Sequence, residues 1–203
     1  MADAGEDQQH ELIDRPRSWP VVETRDLHRD EWVVALREDL VTRPEHPDDS
    51  FRRLVLEHPG AVIVLALDDE ERVCCLRQYR HASQGVMIEL PAGIRDEGDE
   101  DPQVTAAREL QEEAELRAEH WQLLTTSWPS AGISSERHLA YLATGLSPAP
   151  RGDFEMHAEE AEIEVFWCPF EDLLDATLDG RVQEGPLMIA VLAYDARRRR
   201  DRL

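Results

Sequence analysis

The order of apolar and polar positions along the chain predicts many short strands interrupted by three helices. Residues 61–67 (AVIVLAL) form an unbroken apolar run closed by Asp68, Asp69, Glu70 and Glu71, which predicts a buried strand followed by a hairpin turn. Residues 73–79 return as its expected partner. Residues 51–58 read as an earlier strand, broken by Pro59 and Gly60. Within the modest alternation of residues 21–41, residues 32–36 (WVVAL) are the clearest strand, and residues 43–50 (RPEHPDDS) form a loop. Further strands are predicted at residues 88–90, 121–128, 138–143 and 163–168, with loops at 129–136 and 151–160. The strand at 88–90 ends at Pro91-Ala92-Gly93, and an acidic loop follows it.

Pro102 stands where a first helical turn begins. Val104, Ala107, Leu110 and Ala114 then recur at helical spacing, so a helix is expected to run to about Leu116. A second helix is expected at 170–178, with Gly180 near its end, and a third at 186–200. The four arginines 197–200 close that last helix as a solvated end that complements its dipole. Short strands with interspersed helices predict an α/β (α+β) domain built on a mixed sheet. No internal repeat is present, and residues 1–18 read as a polar, mobile tail.

Charge narrows the choice of partners. The 203 residues carry a formal net charge of −22, and none of the 22 basic residues is a lysine. A field of that sign repels phosphate backbones, so nucleic acid is not an expected partner. A small anion can still bind where arginines and a metal locally reverse the field. No apolar run approaches the roughly 20 residues of a membrane span, and the acidic N-terminus lacks the basic-then-apolar order of a signal peptide. A cytoplasmic location with no membrane association is therefore expected. Cys74, Cys75 and Cys168 have neither a disulfide pattern nor a zinc spacing, and read as reduced structural residues.

The chemistry-bearing segment runs from Gly93 to Leu116. Glu109, Glu112 and Glu113 lie three and four residues apart and share one helix face. Carboxylates crowded in this way invite a hard divalent cation, Mg²⁺ or Mn²⁺. Arg108, one turn before Glu112, is placed to orient it. Taken alone, the same residues also describe a solvated acidic face.

With Gly93, Glu100, Arg108, Glu109, Leu110, Glu112, Glu113 and Leu116, the segment resembles the box of the Nudix hydrolases, with two departures. Six residues rather than five separate Gly93 from Glu100, and Glu115 stands where the box has glycine. A helix exit of that kind favours a left-handed residue, which glycine adopts most easily, so Glu115 is expected to alter or strain the exit, and its charge opposes the dipole, without removing a metal ligand. The segments Gln78-Tyr79-Arg80-His81, Glu89-Leu90-Pro91-Ala92-Gly93, residues 131–136 and residues 159–162 are similar to the ADP-ribose pyrophosphatase branch. The resemblance implies the Nudix fold, a mixed sheet sandwiched between helices. It implies residues 1–50 as a tail and strand region that dimerises, and residues 51–203 as the hydrolase domain.

The resemblance also implies roles. Glu109, Glu113 and the Ala92 carbonyl would hold metal, with Glu112 a further ligand, and Glu100 and Arg108 would position them. The water-activating base would be Glu160, with Glu159 next and Glu162 also in the loop. Arg53 and Arg80 are the candidates for substrate phosphate, since a strand arginine forms bidentate pairs with a diphosphate; either also reads as a surface ion pair. Trp32 is a candidate for stacking on a base or a buried aromatic at an interface. Gly132 and Ser134 are expected on a loop bordering the terminal ribose, and Tyr79 and His81 read as structural. The expected activity is Mg²⁺-dependent hydrolysis of ADP-ribose or a related nucleoside diphosphate sugar to AMP and ribose 5-phosphate. The alternatives are an oxidised nucleotide as substrate, or a non-catalytic domain that senses ADP-ribose.

Overall fold

In a computed structural model of the chain, residues 12–95, 101–152, 154–156 and 158–203 are described. The chain opens with β1 (Val21–His28), β2 (Ala35–Thr42) and β3 (Ser50–Glu57), an antiparallel sheet in the order β1-β2-β3. The expected strand at Trp32 starts only at Ala35, because residues 31–33 bend between β1 and β2 and leave Trp32 exposed. The main body follows with β4 (Ala61–Ala66), β5 (Arg72–Arg80), β6 (Gly85–Glu89), β7 (Ala92–Ile94), α1 (Pro102–Ala114), β8 (Leu116–Ser127) and β9 (His138–Pro148). A short 3₁₀ turn (Ala158–Glu162), β10 (Glu164–Pro169), α2 (Phe170–Leu178) and α3 (Gly185–Arg198) complete it.

The apolar run of β4 is explained by its place at the centre. Val62, Val64 and Ala66 pack with Ala106 and Leu110 of α1 and with Tyr141 and Ala143 of β9. Ile63 and Leu65 face the opposite way, onto Phe170, Leu173, Leu187 and Val191 of α2 and α3. A strand covered by helices on both faces needs no polar alternation. The four-stranded sheet has the order β7-β4-β9-β8, with β4 and β9 parallel and the other pairs antiparallel.

The expected β4–β5 hairpin does not form. Asp68 holds the turn, accepting hydrogen bonds from the N–H groups of Glu70 and Arg72, but pairing ends after the single bridge Leu67–Val73. Both edges of β4 are taken by β7 and β9, so β5 leaves to join a separate sheet, β10-β5-β6. β7 itself interrupts the expected Pro-Ala-Gly turn: Ala92 pairs with Ile63 and Gly93 with Val62. The loop expected through residue 160 ends in the 3₁₀ turn. Cys74 and Cys75 are buried in β5, and burial pushes the Cys74 thiol up to about 12, which leaves it unreactive. At the other end of the chain Arg198 packs on the Phe170 ring and pairs with Glu171 and Asp195. Among the described residues no helix is long and apolar enough to cross a membrane.

Candidate active site

Helix α1 starts as its sequence demands. Asp101 caps it by accepting the Gln103 N–H at 3.0 Å, and Pro102 occupies the first turn. It ends at Glu115, which adopts φ 54° and ψ 38°, the left-handed conformation that glycine favours. The Glu115 N–H reaches back to the Gln111 carbonyl, and its own carbonyl accepts from Ala149. The exit geometry expected of the box is kept with a residue that strains to adopt it.

The inward face of α1 differs from the expected one. Thr105, Ala106, Leu110 and Glu113 are buried, while Val104 and Ala107 are exposed. The helix is thus rotated so that a carboxylate takes a core position, a choice that apolar periodicity alone misses.

That carboxylate is Glu113. Its Oε2 accepts the Ala92 N–H at 2.9 Å, joining the end of α1 to β7. Burial pushes its carboxyl up to about 8; the nearby charges of Glu109 and Glu160 push the same way, and the Ala92 N–H and Arg80 oppose them. Glu109 lies flat on β7: a Cβ built on Gly93 would stand 2.1 Å from both its Cδ and Oε1. One guanidinium nitrogen, Arg108 Nη1, is 3.0 Å from Glu109 Oε1 and 3.0 Å from Glu112 Oε2. Arg108 therefore orients both acids, as the one-turn spacing to Glu112 implied. Glu100 and the side chain of Glu159 lie outside the described residues.

Among the described residues no three acid, His or Cys side chains already stand together as a metal cage. The donor set nonetheless fits a hard divalent cation. A buried carboxylate, Glu113, stands beside further acids that raise its cost of ionising, and Glu109 presents its oxygen at the backbone of β7.

Arg80 and Glu89 form the adjoining wall. Arg80 Nε donates to Glu89 Oε1 at 2.8 Å and Nη2 to Oε2 at 2.6 Å, a bidentate pair across β5 and β6. Glu89 is 5 % exposed, so it depends on that partner. Arg80→Ala is expected to leave it buried and unpaired, at about 1–3 kcal/mol. The melting temperature should fall by about 2–4 °C per kcal/mol, as calorimetry would record. Glu184, the cap of α3, accepts the Leu187 N–H at 2.6 Å and faces the same wall. Burial pushes it up to about 7, Glu89 adds to this, and Arg80 and His138 oppose it. Sequence reasoning missed Glu89 and Glu184 as site-wall groups. The signal for Glu184 was its position just before Gly185-Pro186, a capping arrangement.

The other expected site residues are more scattered. Glu160 is exposed in the 3₁₀ turn, close enough for Glu113 to feel its charge. Arg53 lies on β3 over the Phe51 ring, 4.2 Å from its centroid, and has no ion pair among the described residues. Trp32 is 63 % exposed in the bend between β1 and β2. Gly132 borders open space, whereas Ser134 is buried with its hydroxyl occupied: Oγ accepts the Glu136 N–H at 3.0 Å. Tyr79 and His81 touch each other, hydroxyl to Nδ1, at 3.3 Å.

Residues 57–188, most of the body that carries this site, match the family described as NUDIX domain. The chain belongs to the Nudix family. It is 39 % identical to the ADP-ribose pyrophosphatase of Mycobacterium tuberculosis, over 81 % of this chain and 77 % of that protein. It is 35 % identical to the methanol dehydrogenase activator of Bacillus methanolicus, over 74 % of this chain and 75 % of the relative. A crystal structure of an ADP compounds hydrolase superposes with a TM-score of 0.71, covering 94 % of this chain and all of the other at 17 % identity, a likeness of fold. Within the family, the chain stands with the ADP-ribose pyrophosphatase branch.

Proposed function

We propose that this Nudix protein hydrolyses the pyrophosphate bond of ADP-ribose, or a closely related nucleoside diphosphate sugar, to AMP and ribose 5-phosphate. The observation that carries the reading is the acid group at the end of α1, with Glu113 bonded to the Ala92 N–H, Glu109 against Gly93, and Glu112 joined to Glu109 through Arg108. Its kinship with the Mycobacterium tuberculosis enzyme supports the substrate class. Glu109, Glu113, the Ala92 carbonyl and Glu112 would hold Mg²⁺, with Mn²⁺ able to take its place. When bound, the metal neutralises charge on the phosphate oxygens and eases deprotonation of water. Glu160, with Glu159 as the neighbouring alternative, takes the proton from the attacking water. That water forms a bond to one phosphorus as the bond to the bridging oxygen breaks. Arg80 and Arg53 bind diphosphate oxygens, Trp32 stacks on the base, and Gly132 lines the far ribose, while Ser134, expected there too, is buried with its hydroxyl tied to the Glu136 N–H and shapes that loop from within.

The test is a panel of nucleoside diphosphate derivatives incubated with Mg²⁺, with phosphomonoester release measured. Wild type should cleave ADP-ribose, and Glu160→Gln should be about 10²–10⁴-fold slower. Binding of ADP-ribose without cleavage of any substrate would remove the enzymatic reading. Strong preference for an oxidised nucleotide would remove only the substrate assignment.

The working form is inferred to be a cytoplasmic homodimer joined through the N-terminal sheet. All of β1 is exposed, and Trp19, Val21, Val22, Leu27, Trp32, Val33 and Leu54 present large apolar side chains there. Three free cysteines accord with a reducing compartment. Light scattering at working concentration should give twice the chain mass; a monomer mass would refute the pairing.

A further inference from the structure

The loop between β8 and β9 carries Gly132 and is fastened to the end of β3 by more than its own turn. Within the loop, the Ile133 and Ser134 N–H groups donate to the Ser130 carbonyl at 3.0 and 2.9 Å. The loop then runs parallel to β3: Leu56 N–H donates to the Ile133 carbonyl at 2.8 Å, and Ser135 N–H to the Leu56 carbonyl at 3.0 Å. The His58 N–H adds a bond to Ser135 Oγ at 2.9 Å.

Beyond this ladder, one carboxylate oxygen sits between two histidines. Glu136 Oε1 is 2.7 Å from His138 Nε2 and 3.9 Å from His58 Nε2. His58 Nδ1 accepts the Gly60 N–H at 3.0 Å, so in the neutral ring its proton is on Nε2, facing Glu136. His138 likewise donates from Nε2, which leaves its Nδ1 a buried acceptor with no hydrogen-bond partner among the described residues. The His138 side chain is only 7 % exposed, and the His138 bond holds the Glu136 carboxyl below the usual carboxylate range.

This clasp leads into the active site. His138 is the first residue of β9 and pairs with Ala61, which on its other side pairs with Ile94. One sheet row therefore joins the clasp to β7, two residues from Ala92. Glu184 at the start of α3 feels the charges of both His138 and Arg80, and Glu113 feels that of Arg80. The ionisable groups around the clasp are thus His58 after β3, Glu136 in the loop and Glu184 at α3.

We propose that Glu136 is a positioning residue that acts through His138 and His58, setting the loop of Gly132 against the end of β3 so that substrate meets a preformed wall. The proposal rests on the nucleoside diphosphate reading above. It predicts that the clasp contributes to substrate binding rather than to bond breaking. Losing a charge-assisted bond of this kind weakens an arrangement by about ten- to a hundredfold.

The experiment compares wild type, Glu136→Ala and Glu136→Gln in three measurements. These are ADP-ribose binding to metal-free protein by calorimetry, kcat and KM with Mg²⁺, and backbone hydrogen exchange. Glu136→Ala should speed exchange at Leu56 and Ser135 while leaving the α1 amides unchanged. It should raise Kd and KM by about tenfold or more and leave kcat within about threefold. Glu136→Gln still offers an oxygen to His138 Nε2–H and should recover most of the binding. If Glu136→Ala does not fold, His58→Phe, which empties one side of the clasp, carries the same expectation at smaller amplitude. Wild-type exchange in the variant overturns the proposal, and so does faster exchange with unchanged Kd. A fall in kcat with Kd preserved overturns it as well. A wild type that binds no ADP-ribose instead overturns the functional reading on which the proposal rests.

Discussion

Glu113→Gln is expected to lower hydrolysis by about a thousandfold or more, the several kcal/mol that metal-borne charge stabilisation supplies. The metal-free fold should nevertheless become more stable above neutral pH. The substitution keeps an oxygen to accept the Ala92 N–H, so the tie between α1 and β7 survives. What it removes is a buried charge. Burial raises the Glu113 carboxyl from its ordinary 4.5 to about 8 in the metal-free fold, which therefore holds a proton that the unfolded chain releases. The stability this contributes is full below about pH 4.5 and is lost as pH rises through about 8. Melting of metal-free wild type should accordingly fall between pH 5 and 8.5, and the Glu113→Gln curve should be flatter. Glu184, raised to about 7 with the same sign, leaves the variant a residual slope. Saturating Mg²⁺ should raise the wild-type melting temperature at high pH and leave Glu113→Gln nearly unmoved. A variant that keeps wild-type turnover, or a wild-type melting curve that rises with pH in the absence of metal, would contradict this account of the site.

Gly93→Ala should be the most damaging single-methyl change in the site. The added Cβ would stand 2.1 Å from Glu109 Cδ and Oε1 and 2.6 Å from Cγ. Gly93 lies in β7, paired with Val62, which is fully buried in the sheet centre, so the backbone has little room to retreat. Glu109 must swing away, and its movement also disturbs Arg108, which lies 3.0 Å from it. Overpacking of this kind costs about 1–3 kcal/mol, and loss of the Arg108 contact that orients Glu109 would alone cost about 10–100-fold in metal affinity or activity. Turnover at limiting Mg²⁺ should fall more than turnover at saturating Mg²⁺, and titrating the metal separates the two. Equal Mg²⁺ dependence in variant and wild type would mean that Glu109 does not ligate.

The sequence was sufficient for features set by neighbours along the chain. Asp101-Pro102 starts α1 because the cap and the first-turn proline act within one turn, and Arg108 reaches Glu112 because helical spacing places them together. The register of the box located the helix exit at Glu115, but the replaced glycine was expected to alter or strain it, and the left-handed geometry is kept. The apolar run of β4 identified a strand with both faces buried, as its packing between α1 and α2–α3 bears out.

Only the tertiary structure decided which elements meet. β5 follows β4 after only residues 67–71 yet joins another sheet, because a strand has two edges and those of β4 are filled by β7 and β9 from farther along the chain. The same long-range packing rotates α1 so that Glu113, rather than Val104 or Ala107, faces inward. It also sets Arg80 against Glu89, Glu184 beside that pair, and Glu136 between His58 and His138. Local spacing specifies which side chains share a helix face. Burial, and with it the raised carboxyl of Glu113, exists only once distant strands close around that face.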